Sequence, residues 1–506
     1  MVSITINNKS LAEQSQSMAR VLFVEDGFSF NADLTAIEKE CAPLKQLLAE
    51  KKFTGKALSM VRAPLVAADH VTWQVIMGLG AIKGSKKIDI EVYRRALGKI
   101  MRLAEDNKWT SLVIQLPKPE LFGVTARYLA EQTACVINMA HYYFDIFITD
   151  ESRRIPQTVS VTLALNGLDD HEVEEGLKKG TIVGNAINDA RHWIDLPPSM
   201  LTPENLANHA RDIAQKFNMP ITVFSEQEIN KMGMGGLSAV SRGSELDCQL
   251  VIMEYRAPQK DAPTIAFVGK GITFDSGGLS IKPANSMETM KADMAGAAAV
   301  IATMRALGQL KPAVNVIALA PISENLPSGS ATKPGDVCRF YNGKTAEIKN
   351  TDAEGRLILA DALSYVVKHY KPDAIIDIAT LTGSCAAALG PFFCGMMSQH
   401  DELVAVVQES SNRSGDRVWR LPLHDDYIPA IKSAVADISN IGSPRYMAGA
   451  ITAAHFLKNF VDDVPWVHLD IAGVDLDVPD IPYYRAASAS GFGVRLLTDI
   501  AMNWKK

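Results

Sequence analysis

Along the first 165 residues, short apolar runs alternate with longer stretches of helical period. Residues 21–24, 56–61, 71–77 and 111–115 read as strands, and 90–105 and 123–143 as helices. Alternation of this kind argues for an α/β layered domain. Residues 151–170 read as a connecting strand and turn, and 171–193 as a long helix leading into a second domain. From Thr264 the order is strand 264–268, a glycine-rich loop 269–278, helix 287–310 and strand 314–322. Helix 357–370, strand 374–381 and strand 466–472 follow. Within 357–370, Leu357, Ala360, Leu363 and Val367 recur near a 3.6 period, and Pro372 stands just past the end. Thr202 and Pro203 supply an N-cap and a first helical residue. The expected organisation is an N-terminal α/β domain over 1–165, a connecting helix over 166–195, and a larger α/β domain over 196–506. The larger domain should hold a mixed, mostly parallel sheet flanked by helices.

A chain of 506 residues with 47% hydrophobic content has ample material for two or three domains. Net charge is −6, from 51 basic and 57 acidic residues, so no global basic field recruits nucleic acid. Six cysteines without a CxxC pair favour free thiols in a reducing compartment. The N-terminal residues lack a signal-peptide layout, and no apolar run approaches the roughly 18 residues of a membrane span. A cytoplasmic protein is expected.

The candidate chemistry lies in two stretches. In Asn350-Thr351-Asp352-Ala353-Glu354-Gly355-Arg356-Leu357, Asp352 and Glu354 stand two apart and can share one target, and Gly355 allows close backbone approach. Acids at a helix entry also suit the macrodipole, which alone would explain them. The second stretch, after strand 264–268, sets Lys270 and Asp275 among glycines, followed by Lys282 and Asp293. Four carboxylates in one cleft would repel and raise one another's pKa values, and divalent cations are the usual remedy. An oxygen-rich donor set with one amine and no Cys or His suits Mn²⁺, Mg²⁺ or Zn²⁺.

These segments resemble the cytosolic leucyl aminopeptidase family. The resemblance is carried by residues 268–278, 280–283, 290–299, 350–357, 379–383, 415–423 and 466–473, and runs through most of 190–495. It implies one metal on Asp275, Asp352 and Glu354, and a second on Lys270, Asp275, Asp293 and Glu354, either Mn²⁺ or Zn²⁺. A hydroxide between the ions would attack the carbonyl of the N-terminal peptide bond. Lys282 would stabilise the oxyanion. Arg356, with Gly355 and Leu381 beside it, would hold a bicarbonate that moves the proton. Asp293 would also meet the substrate α-amine. Met290, Ala353, Thr380, Leu381 and Gly383 would line the first side-chain pocket, an apolar lining that favours leucine-like and methionine-like residues. The resemblance also implies a homohexamer, and an N-terminal domain for regulation or assembly.

Other features read more plainly. Gly78-Leu-Gly80-Ala-Ile-Lys-Gly84 spaces its third glycine one residue too far for a dinucleotide loop and lacks an acidic partner about 20 residues on. Gly269-Lys270 is not a phosphate loop, because Gly271 replaces the Ser/Thr. His468, in an apolar strand, reads as a hydrogen-bonded core histidine. Two departures from the family pattern, the 442–449 loop and Ser490, leave substrate preference and subunit contacts open. A DNA-binding role on the same fold, or another two-metal hydrolysis such as that of phosphate esters, remains the alternative. The absence of a basic cluster in residues 1–150 counts against DNA.

Overall fold

A computed structural model describes residues 2–9, 11, 17–29, 34–35, 44–66, 70–82, 87–155 and 159–505. The chain divides into two units, one of residues 1–185 with 480–485, the other of 186–479 with 486–506. In the first unit, β1 (Val2–Asn7), β2 (Ala19–Val24), β3 (Met60–Val66), β4 (Val71–Gly78), β5 (Ser111–Gln115) and β6 (Val159–Ala164) form one sheet. Its order is β1-β6-β5-β2-β4-β3, parallel except where β3 runs against β4. The expected strand at 56–61 lies later, at Met60–Val66, because 57–58 form a turn with Leu58 at φ 61°. The segment expected to be a connecting strand is β6, between β1 and β5 inside the sheet. The Ile90–Asp106 helix is capped by Asp89, whose side chain accepts from Glu91 N. The Ala126–His141 helix begins three residues later than expected, at a Thr125 cap. Gly84 and Cys41 fall outside the described residues.

The second unit is built on β7 (Ile221–Phe224), β8 (Gln249–Tyr255), β9 (Thr264–Gly269), β10 (Gly271–Asp275) and β11 (Asn315–Asn325). It continues with β12 (Val337–Arg339), β13 (Thr345–Glu347), β14 (Ala374–Ala379), β15 (Cys394–Met397), β16 (Val418–Arg420), β17 (Ile438–Ser439) and β18 (Trp466–Asp470). The main sheet runs β16-β15-β18-β14-β9-β11-β8-β7, with β10 paired to β11. Its centre, β18-β14-β9-β11, is parallel, and the flanking β15 and β8 are antiparallel to their inner neighbours. The central strands are buried along nearly all their length, as a sheet covered on both faces requires. The helix expected over 287–310 is broken: Ala284–Met287 and a 3₁₀ turn at Met290–Ala292 precede the helix proper, Ala295–Leu310. A Cβ on Gly296 would overlap Ile378 O, so glycine lets this helix press onto the sheet. Thr202 caps the Pro203–Phe217 helix as expected, its hydroxyl accepting from Asn205 N. A small sheet, β12-β13-β17, completes the unit and ends beside Asn440.

Among the described residues, no helix is long and apolar enough to cross a membrane. The described cysteines 135, 248, 338, 385 and 394 are buried free thiols.

Candidate active site

The parallel strands of the second unit deliver their carboxyl ends to one edge, where open α/β sheets place their sites. Lys270 follows β9. Its backbone N–H donates to Ile378 O (3.1 Å) and its carbonyl accepts from Ala297 N (2.8 Å), so strand and helix both fix it. Asp275 ends β10, the stretch expected to be loop. Asp293 follows the 3₁₀ turn, and its carbonyl accepts from Ile272 N, which holds the backbone out of the next helix. Glu354 precedes the Gly355–Tyr370 helix and accepts from Leu357 N and Ile358 N through its carbonyl. Thr351 stitches the two loops together, donating to Gly277 O and accepting from Ser280 N. A Cβ on Gly355 would overlap the end of the Lys270 side chain, so the glycine makes room for that amine.

One carboxylate oxygen from each of Asp275, Asp293 and Glu354 lies within 4.8 Å of the other two, and all three residues are buried. Lys270 Nζ sits among them, 2.7 Å from Asp293 Oδ1, 2.8 Å from Glu354 Oε1 and 2.9 Å from Thr380 O. Lys282 Nζ lies 2.8 Å from Asp275 Oδ2 and 2.5 Å from Asp352 Oδ1. Burial, reinforced by Glu354, pushes Asp275 up to about 6 despite the two lysines. Burial also raises Asp293 well above the carboxylate range, and raises Asp352. For Glu354 burial works the same way, but Lys270 outweighs it and its pKa falls. Both lysines are held above their ordinary value, the nearby acids overcoming desolvation. Arg356 is buried, which brings its guanidinium down to about 10 against the pull of Glu354 and Asp470.

The donor set fits divalent ions. Four acids face two ammonium groups, three of the acids are buried, and Asp293 Oδ2 is buried with no hydrogen-bond partner among the described residues. A cavity of about 800 Å³ opens onto the cluster. Its wall includes Arg356, Met290, Ala353, Thr380, Leu381 and Gly383; of the residues expected to hold metal, bicarbonate or substrate, Gly355 alone is not part of it.

Several neighbours escaped the sequence reading. Asn325, at the end of β11, donates to Asp275 Oδ1 (2.8 Å) and to Thr351 O (3.0 Å). Asn440 accepts Arg356 Nη1 at its carbonyl (2.8 Å) and donates to Asn350 O (2.6 Å). Asp470, within a segment already noted for its resemblance, accepts from Leu381 N, Thr382 Oγ1 and Ala472 N. His468 is a core histidine as expected, its Nδ1 2.6 Å from Asp377 Oδ1.

Residues 188–498 match the catalytic domain of the cytosol aminopeptidase family, and residues 21–151 match that family's N-terminal domain. A probable cytosol aminopeptidase of Chlorobium limicola is 40% identical over 441 residues, 85% of this chain and 86% of the relative. One from Rickettsia bellii is 35% identical over 490 residues, 96% of each chain. Among solved structures, a tomato leucine aminopeptidase mutant has a TM-score of 0.87 at 29% identity, covering 99% of this chain and 96% of its own. The bottromycin maturation enzyme BotP in complex with Mn has a TM-score of 0.82 at 30% identity, covering 96% and 99%. With a buried acid–lysine cluster at the strand ends and matches across both units, the chain belongs to the cytosol aminopeptidase family and is a metallo-aminopeptidase hydrolase.

Proposed function

We propose that the protein removes leucine-like residues from the N-terminus of peptides, using two divalent ions, Mn²⁺ or Zn²⁺. The observation that carries this reading is the buried Asp275–Asp293–Glu354 cluster with the Lys270 amine in its midst, opening into a substrate-sized cavity. Lys270, Asp275, Asp293, Asp352 and Glu354 would hold the ions. When bound, such ions supply a water acidic enough to attack near neutral pH, and they polarise the scissile carbonyl. Lys270 joins the set only as a neutral amine, a state that neighbouring cations favour. Asp293 receives the α-amine, which restricts cleavage to a free N-terminus.

Lys282, on the cavity wall, keeps its ammonium charge and stabilises negative charge on the carbonyl oxygen. Arg356, with Gly355 and Leu381 nearby, would hold a bicarbonate, which would supply a proton acceptor there. Its buried Nε has no hydrogen-bond partner among the described residues, which supports a planar anion as its ligand. Met290, Ala353, Thr380, Leu381 and Gly383 receive the N-terminal side chain. The assembly is a homohexamer in the cytoplasm, with residues 1–165 as a regulatory or assembly domain.

Metal-stripped protein, restored separately with Mn²⁺, Zn²⁺, Mg²⁺ and Co²⁺ on amino-acyl anilides and a phosphate ester, tests the reading. Restored cleavage of the leucine anilide is expected. Phosphate-ester turnover without anilide turnover would overturn it.

A further inference from the structure

The segment leaving β18 runs beside the segment leaving β14. Ile471 N donates to Ala379 O (2.8 Å), and the Asp470 carboxylate ties Leu381 N, Thr382 Oγ1 and Ala472 N together. Four residues after Ile471 stands Asp475, with its backbone held on both sides. Its carbonyl accepts from Ser490 N (2.8 Å), and Leu476 pairs with Ala489. Asp475 is half-buried and forms part of the same cavity wall as Met290, Thr380, Gly383 and Ala472.

Asp470 and Asp475 are therefore neighbours with different circumstances. The Asp470 carboxylate is occupied by donors that organise the loops. That of Asp475 meets the backbone N–H groups of Asp475 itself and Leu476, and no side-chain cation pairs with it among the described residues. Burial is the largest influence on it and pushes its pKa up to about 7, with Lys270 opposing only weakly. A carboxylate in that condition is costly to keep in a pocket wall, unless a partner arrives with the ligand.

We infer that Asp475 is a specificity determinant: it receives the cationic end of a lysine-like or arginine-like N-terminal side chain. The aliphatic stem of such a residue suits Met290, Ala353 and Leu381, as a leucine side chain does, and its charged head then reaches the acid. This rests on the aminopeptidase reading of the same cavity and widens its substrate class to basic N-terminal residues. A pocket that lacked an acid would reject such residues, because the ammonium or guanidinium would be desolvated without a partner.

Lysine and norleucine anilides isolate the effect, since they share an unbranched aliphatic stem and differ in the terminal ammonium. With the metal-reconstituted enzyme at about pH 8.5, where ordinary carboxylates are ionised and lysine is not yet neutral, kcat/KM for lysine should equal or exceed that for norleucine. In Asp475→Asn the lysine-to-norleucine ratio should fall on the order of 10–100-fold, carried mainly by KM, as for loss of a charge-assisted hydrogen bond. Asp475→Glu should restore part of the ratio. A wild-type preference for norleucine, or a ratio in Asp475→Asn within about twofold of wild type, would overturn the assignment. The wild-type comparison stands even where a variant fails to fold. If no anilide is cleaved at all, leucine included, the aminopeptidase reading fails and this inference falls with it.

Discussion

Asp416 and Asp293 lie in the same unit, both buried, and each faces a cationic side chain. Asp416 is fully provided for: Arg495 donates to its Oδ1 at 2.7 and 3.0 Å, and Gly493 N and Leu496 N donate to its Oδ2. One acid meets one guanidinium, and neither oxygen is left over. Asp293 shares Lys270 with Glu354, its Oδ2 has no partner, and Asp275 adds a further negative charge nearby. Burial alone therefore does not mark a functional acid. What separates the two is the local charge balance, closed at Asp416 and open at Asp293, and the open one adjoins a cavity.

The largest effect should come from removing that excess of negative charge at its centre. Glu354→Gln and Asp275→Asn each remove an acid expected to bridge the ions, so activity should fall to background and metal should be lost. Elemental analysis checks this. A variant retaining about two ions per chain, the complement of a two-metal hydrolase, would refute the bridging assignment.

Opening the balanced pair tests the other half of the comparison. Asp416→Ala leaves a buried arginine uncompensated and should cost about 3–5 kcal/mol of stability, read from the urea midpoint. Metal content per folded chain should not change. A stable variant, or one that loses metal while folded, would show that the two acids are not separate in kind.

Lys282 lies between these extremes, because it touches Asp275 and Asp352 yet is not needed as a ligand. Lys282→Met should keep its metal and lower kcat on the order of 10²–10³-fold, the usual loss for one oxyanion-stabilising donor, with a smaller change in KM. Metal loss would instead make Lys282 a structural counter-ion of the cluster.

Much of this site was readable in the sequence because its parts are local. Asp352 and Glu354 stand two apart, and Lys270 and Asp275 both follow closely on one apolar strand. The central strands β9, β11, β14 and β18 were also readable, as short apolar runs. The break at 288–294 was not readable, since it depends on Asp293 O accepting from Ile272 N, a contact between segments about 20 residues apart. β10 was hidden for a similar reason: Gly271-Ile-Thr-Phe-Asp275 becomes a strand by pairing with β11 near its far end. Asn325 and Asn440 carry no sequence signal of their own, as their value lies in donors aimed at Asp275, Thr351 and Asn350 across the fold. Asp475 follows a segment noted for resemblance, but only the cavity makes its charge conspicuous.

The smallest expected effect concerns Arg356. It is buried beside the cluster, yet its Nη1 donates to the neutral carbonyl of Asn440 rather than to an acid. A guanidinium kept for structure alone would normally pair with a nearby carboxylate, since that offsets its desolvation best. A guanidinium kept for a mobile anion needs a donor in reserve, and Nε is buried without a partner. Wild-type kcat should therefore rise with added bicarbonate, by no more than about 10²-fold, the low end for a positioned proton acceptor. Arg356→Ala should retain its metals, start from the lower rate and show no response to bicarbonate. Equal wild-type turnover in bicarbonate-depleted and bicarbonate-supplemented buffers would remove this role. Arg356 would then belong with Arg495 on the structural side of the comparison, and its replacement should lower stability instead of bicarbonate response.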